Sequence, residues 1–196
     1  MPDSDARLGA VVLTGGSGAR MGGVDKASIE VDGVTLLERA LAATQTAVEV
    51  VVVGEQVPTS RPVTWTREDP RGGGPAAGLL AGLDRFLRAP DLVAVLAVDM
   101  PRVGPGTFAR LTVALAPPYD GAVLVDAEQR RQPLCAVYRR TALVRARPQD
   151  GEQEHGLPMH RLLEPLELVE VSAVAGESDD VDTWLDLKVL RESREL

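Results

Sequence analysis

The segment Gly15 to Lys26, GGSGARMGGVDK, is the part of the chain best suited to chemistry on a phosphorylated ligand. Glycines expose backbone N–H groups and tolerate positive φ, so such a loop can cradle phosphate oxygens. Arg20 can fork onto those oxygens, and Lys26 can act as a mobile point charge. Lys26 is one of two lysines in a chain whose other cations are arginines, which weakly marks its position as chosen. Asp99 closes the apolar run LAV ahead of Met100-Pro101. A carboxylate there suits a hard cation such as Mg2+, which takes oxygen ligands. It equally suits a turn or helix cap before a proline. Asp180-Val181-Asp182-Thr183 precedes the last helical stretch, where Asp182 reads first as an N-cap that compensates the helix dipole.

The familiar phosphate motifs do not fit. A Walker loop needs Gly-Lys followed by Ser or Thr, whereas Lys26 lies between Asp25 and Ala27. The dinucleotide fingerprint G-x-G-x-x-G fails at Met21, although a looser spacing through Gly16, Gly18 and Gly22 exists. A plain flexible strand-to-helix turn is the competing reading of the glycines. His155 and His160 are the only histidines, and no third or fourth ligand for zinc can be nominated beside them.

The whole run LTGGSGARMGGVDKASIEVDG resembles the Leu-Ala-Gly-Gly-x-x-x-Arg-Met-Gly signature, closed by a lysine, of the nucleotidyltransferases. Gly-Gly-Val-Asp-Lys resembles the molybdenum cofactor guanylyltransferases in particular, with Thr14 where that family carries alanine. LAVDMP is similar to the family's strand-Asp-x-Pro element, GGGPAAG to its Gly-Pro-Leu-Ala-Gly element, Gln132-Pro133 to its His-Pro dipeptide, and Asp-Val-Asp-Thr to its Asn-Val-Asn-Thr turn. The resemblance implies a GT-A-like fold and transfer of GMP from Mg-GTP to the phosphate of molybdopterin or its molybdenum-loaded form, with release of pyrophosphate. It implies Arg20, Lys26 and Asp99 as catalytic residues. It implies a nucleotide-binding set of Leu13, Thr14, Gly15, Gly16, Lys26, Asp69, Gly74, Gly78 and Asp99, in which Glu68 or Asp69 reads the donor edge of guanine. Asp99 and Asp182 would hold Mg2+, Arg130 and Arg131 are candidates for the acceptor phosphate, and a molybdoenzyme chaperone is the implied protein partner.

These residues need a scaffold that gathers them. Leu8–Leu13, Glu49–Val53 and Asp91–Val98 are apolar without alternation, which predicts strands buried on both faces. Val63–Thr66, Gly121–Val125, Leu134–Tyr138 and Leu166–Val171 read as further strands, and Ala27–Val31 as a short extended segment before a turn at Asp32-Gly33. Helices are predicted over Thr35–Ala47, opened by a Thr35/Glu38 capping box, and over Ala76–Arg88, Gly106–Leu115 and Thr183–Arg194. Pro148–Gly156 reads as an exposed loop. The alternation predicts one α/β domain over residues 1–196: a doubly wound, mostly parallel, Rossmann-like sheet with helices on both faces and some antiparallel content at one edge. Ligands bind such sheets at the strands' carboxyl ends, where the glycine loop and Asp99 both fall.

Composition narrows the partners. A formal net charge of -8 disfavours nucleic acid and acidic membranes, and an aromatic content of 3% leaves few stacking platforms for bases. One cysteine excludes an intramolecular disulfide. No stretch approaches the ~20 apolar residues of a membrane span, the first residues fit no secretory signal, and a cytoplasmic monomer or weak homo-oligomer is expected. The rival readings are a cytidylyltransferase or another small-metabolite nucleotidyltransferase, a nicotinamide-dependent oxidoreductase, and a non-catalytic nucleotide-binding module.

Overall fold

A computed structural model describes residues 6–15, 25–149, 151–174 and 176–192. In chain order the elements are β1 (Leu8–Leu13), the hairpin β2 (Glu30–Val31) and β3 (Val34–Thr35), α1 (Leu36–Ala43), β4 (Glu49–Val53), β5 (Thr64–Thr66) and α2 (Gly74–Leu83). There follow β6 (Leu92–Ala97), α3 (Pro105–Ala114), β7 (Gly121–Val125), β8 (Arg131–Arg139), α4 (Arg140–Ala146), α5 (Met159–Leu163), β9 (Leu168–Ser172) and α6 (Trp184–Glu192).

Seven strands form one sheet in the order β5-β4-β1-β6-β8-β7-β9. β1 pairs in parallel with β4 and β6, β4 with β5, and β7 with β9. β8 is antiparallel to both β6 and β7 and supplies the mixed half of the sheet. The unbroken apolar runs follow from burial on both faces. Ala10 and Val12 of β1 pack into a cluster with α1, α3 and α6, while Val11 and Leu13 face a second cluster with α2, α4 and α5.

Several boundaries differ from the sequence reading, each for a contact that local sequence does not contain. α2 starts two residues earlier than predicted, at Gly74, and stops at Leu83 instead of Arg88. Beyond it the Glu49 carboxylate accepts from the N–H groups of Leu87 and Arg88, at 2.9 and 3.3 Å, and pulls that segment out of the helix. α1 ends at Ala43; the Thr44 hydroxyl donates back to the Ala40 carbonyl at 2.9 Å. The capping box is half made: Thr35 accepts from Glu38 N at 3.1 Å, but the Glu38 carboxylate accepts instead from Ser60 N at 2.6 Å. α4 and α5 were not anticipated, because seven and five residues are too short to display a helical period. Both sit over the second face of the sheet, where Leu143 and Leu162 are buried. The predicted loop at Pro148–Gly156 contains a 3-10 turn, Gly151–Glu154.

Close packing of α2 on the sheet depends on a residue without a side chain. A Cβ on Gly82 would lie 2.7 Å from Val11 Cγ1 and 3.2 Å from Val53 Cγ2. Alanine would gain about 1 kcal/mol of helix propensity, but an overfilled contact typically costs about 1–3 kcal/mol. With Val11 Cγ1 only 2.7 Å away the steric cost exceeds the gain, so Gly82→Ala is expected to destabilise the protein by up to about 2 kcal/mol in a urea titration. Unchanged or raised stability would show that the helix can lift without cost. Cys135 is fully buried in β8, and burial, with the Glu177 charge as a lesser cause, pushes its thiol pKa up to about 12. The native protein should therefore yield no rapidly reacting thiol at pH 8, and one after denaturation.

Candidate active site

The carboxyl ends of the parallel strands converge on a small set of polar groups. β1 and β6 run side by side with Leu13 opposite Ala97, and the ladder continues past their ends: Val98 N donates to Leu13 O and Thr14 N to Val53 O, at 2.9 and 3.0 Å. Thr14 is thereby fixed, its hydroxyl also donating to Val53 O at 3.1 Å. A Cβ on Gly54, whose φ is 157°, would sit 1.8 Å from that hydroxyl, so no other residue fits there. Two residues past β6, Asp99 enters the same region.

Lys26 arrives from the other end of the glycine loop on a 3-10 turn, Lys26–Ser28, which Asp25 caps by accepting from Ala27 N at 3.1 Å. Its ammonium is buried between two carboxylates, 2.9 Å from Asp99 Oδ2 and 2.6 Å from Asp182 Oδ1. Burial alone would lower the lysine's pKa; the hydrogen bonds to Asp182 and Asp99 outweigh it and hold the pKa above the ordinary lysine value. Lys26 is therefore a cation throughout the physiological range.

The N-cap of α6 is Thr183, one residue beyond Asp182, to which sequence assigned that position. Thr183 accepts from Asp186 N at 3.2 Å, and the Asp186 carboxylate accepts in return from the N–H groups of Asp182 and Thr183 at 3.1 and 2.7 Å. With the helix end capped by its own residues, the Asp182 side chain can turn to Lys26. The turn carrying it is tied to β6 by Val181 N donating to Asp99 O at 2.8 Å.

These groups line a cavity of about 250 Å³ that includes Leu13, Thr14, Gly15, Lys26, Asp99, Asp180 and Asp182. Gln132, Pro133 and Leu134 close it from β8. Because β8 runs against its neighbours, its first residues lie at the carboxyl ends of the others. Register against β7 shifts between Val123 and Leu124, where β8 accommodates extra residues around Pro133. Proline has no N–H for a ladder, which favours a bulge at this point. The buried Tyr138 hydroxyl donates to the Pro133 carbonyl at 2.9 Å. Asp126, also buried, accepts from Arg130 N and Nε at 2.8 Å each and from Gln132 Nε2 at 3.3 Å. A proline inside an otherwise regular strand was the sequence signal for this bulge. Asp126 carried none, and Asp180 was marked only as part of the Asp-Val-Asp-Thr turn.

The sequence-derived candidates separate into groups. Leu13, Thr14, Gly15, Lys26, Asp99 and Asp182 come together around the cavity. Gly74 opens α2 beside Pro75, which lines the same cavity; its φ of 86° is a conformation that suits glycine. Asp69 lies apart from them, on a second cavity of about 590 Å³ with Glu68, Arg147 and His155. Gly78 is buried on the side of α2 that faces the sheet, where a Cβ would meet Leu13 Cδ2 at 3.2 Å, so its smallness serves helix-to-sheet packing. Arg130, in the turn before β8, and Arg131, the first residue of β8, are engaged with Asp126 and Glu170, 2.8 and 2.7 Å away. Gly16 and Arg20 lie outside the described residues.

Three carboxylates and one ammonium make the described lining net acidic. Partial desolvation and the charges of Asp182 and Asp99 hold the Asp180 carboxyl above its ordinary range. A phosphorylated ligand entering such a cavity needs further positive charge. Among the described residues no set of three His, Cys, Asp or Glu side chains forms a metal cage. Asp99 and Asp182 supply hard oxygen donors in the number Mg2+ uses when substrate phosphates complete its shell, so the residues present fit that ion.

A mostly parallel sheet that gathers the Thr14–Gly15 backbone, an ammonium and paired carboxylates at its carboxyl edge belongs to the class of phosphate-handling α/β proteins. Residues 10–172 match the model of the MobA-like NTP transferase domain, so the chain belongs to that family and is a nucleotidyltransferase. A probable molybdenum cofactor guanylyltransferase of Methanosarcina acetivorans is 29% identical, covering 93% of this chain and 87% of its own length. The molybdenum cofactor guanylyltransferase of Acidiphilium cryptum is 38% identical over 58% of this chain and 61% of its own. The crystal structure of molybdopterin-guanine dinucleotide biosynthesis protein A from Archaeoglobus fulgidus shares the fold, with a TM-score of 0.74 at 22% identity, covering 95% of this chain and 98% of that one.

The position of Asp99 yields a direct test. Asp99→Ala is expected to lower nucleotidyl transfer by at least a hundredfold, roughly the loss on removing one preorganised electrostatic group. Near-normal turnover would remove Asp99 from the chemistry.

Proposed function

We propose that this protein transfers the GMP moiety of GTP to the terminal phosphate of molybdopterin, or of its molybdenum-loaded form, and releases pyrophosphate. The observation that carries this reading is the convergence of Lys26, Asp99 and Asp182 beside the Thr14–Gly15 backbone at the carboxyl ends of β1 and β6. The names of the similar guanylyltransferases supply the nucleotide and the acceptor.

In this reaction an oxygen of the acceptor phosphate attacks the α-phosphorus of GTP. The new phosphoanhydride bond forms as the bond from the α-phosphorus to the α–β bridging oxygen breaks, and that oxygen leaves with pyrophosphate. The acceptor oxygen is already ionised near neutral pH, so no side chain has to remove a proton. The protein's work is to bring two anions together and hold them in line. Lys26 and Arg20 would neutralise charge that grows on the departing pyrophosphate. Asp99 and Asp182 would hold Mg2+, which when bound neutralises phosphate charge. The amide edge of Thr14–Gly15 and the start of α2 would border the phosphates and sugar; for Glu68 or Asp69 to read the paired donors of guanine, the base would have to extend to the second cavity, which those two residues line. Gln132 and Pro133 would face the acceptor.

Thermal stabilisation by GTP, CTP, ATP and NAD(P), each with and without Mg2+, tests the assignment. A ligand at a hundred times its Kd adds about 2.7 kcal/mol of stability. A Mg2+-dependent rise with GTP that exceeds the others is expected, followed by pyrophosphate release when molybdopterin is added. A response to CTP alone would move the base preference, and a response to NAD(P) alone would overturn the reading.

A further inference from the structure

Lys26 places its ammonium between two carboxylates that could otherwise serve a metal ion. Its ammonium touches one oxygen of Asp99 and one of Asp182, 2.9 and 2.6 Å away, and these are the two carboxylates best suited to coordinate a divalent cation. The arrangement is built: the Lys26 turn is capped by Asp25, and Ala27 beside it is fully buried. The two acids come from segments 73 and 156 residues away, and Asp180 adds a third negative charge to the same cavity. Without a cation among them, these carboxylates would repel one another and tend to separate the Asp182 turn from the end of β6.

The ammonium holds one oxygen of each carboxylate, so a metal ion that binds the pair has to share it with a positive charge. A divalent cation that approaches while Lys26 is in place meets a positive charge at its own ligands. A triphosphate changes the balance, because its oxygens offer Lys26 another partner and offer the metal further ligands. We propose that Lys26 is a stand-in cation: it holds the Asp99–Asp182 pair closed in the nucleotide-free protein and yields those oxygens to a divalent ion only when triphosphate oxygens take over its ammonium. Metal binding is then conditional on nucleotide, and by linkage nucleotide affinity is conditional on metal. The inference deepens the nucleotidyl-transfer reading and rests on it.

Two measurements test it, neither of which reads turnover. In the first, Mn2+ is titrated into nucleotide-free protein and followed by electron paramagnetic resonance. Wild type should show no saturable site at sub-millimolar Mn2+. Lys26→Met should gain one at least tenfold tighter, and Lys26→Met combined with Asp99→Asn should lose it. Equal Mn2+ affinity in wild type and Lys26→Met, with Lys26→Met folded by circular dichroism, overturns the proposal.

The second uses wild type alone and so does not depend on a variant's folding. Lys188, exposed on α6, serves as internal reference for acetylation of Lys26, the only other lysine. Lys26 should resist acetylation relative to Lys188 both without ligand and with millimolar Mn2+ alone. A severalfold rise on adding Mn2+ alone would mean that the metal displaces Lys26 unaided, which overturns the proposal. Transfer of GMP by wild type, measured separately, distinguishes the two readings. Transfer together with nucleotide-independent Mn2+ binding sinks only the stand-in role, whereas absence of any GTP response sinks the reaction.

Discussion

The ionic junction of Lys26 with Asp99 and Asp182 is the constraint on which the site's geometry depends. It joins the end of the glycine loop, the end of β6 and the turn before α6, three segments that nothing in local sequence brings together. A junction of this kind is a poor source of net stability, since desolvation opposes the Coulombic gain. Its value is positional. Once the ammonium is buried, each carboxylate has one place in which it is well satisfied, and the Asp182 turn is held against β6 by that contact together with the backbone bond from Val181 to Asp99.

The sheet makes the junction possible by covering both of its faces. α1, α3 and α6 bury one face and α2, α4 and α5 the other, which leaves the carboxyl edge as the place where loops can approach one another. The single reversed strand adds something a wholly parallel sheet would lack. The beginning of β8 lies at the edge where the parallel strands end, so Gln132 and Pro133 close the cavity opposite Lys26. A bulge, a buried tyrosine hydroxyl and the buried Asp126 hold that beginning in place.

The electrostatics are unusual for a protein that handles anions. The chain carries a net charge of -8, and the described lining of its cavity is itself acidic. Global repulsion of polyanions and local capture of a phosphorylated metabolite are compatible where the cations are few and well placed. An acidic pair that demands a counter-ion provides such placement, because it makes charge neutralisation a condition of binding. The second, larger cavity beside Asp69 and His155 has an ionic junction of its own, in which Arg147 is held between Asp84 and Glu154.

The sequence by itself determined several strands and singled out residues that meet at the cavity. Leu8–Leu13, Glu49–Val53 and Gly121–Val125 form strands with the boundaries read from them, because an unbroken run of β-branched and apolar residues has no comfortable place except inside a covered sheet. The glycine loop, Asp99 and Asp182 were legible as a set through their motifs. Tertiary structure decided the rest. α2 ends where Glu49, from another strand, claims the following backbone. α4 and α5 exist because the second face of the sheet needs cover, although each is too short to announce itself. Asp182 is a partner of Lys26 and not a helix cap, because Asp186 and Thr183 already cap the helix. Gly78 serves packing and Asp69 faces another cavity, distinctions that depend on which side of α2 meets the sheet. Local sequence sets propensity and chemical type. Which carboxylate meets which cation is settled by contacts between residues far apart in the chain, and those exist only once the sheet has closed over its core.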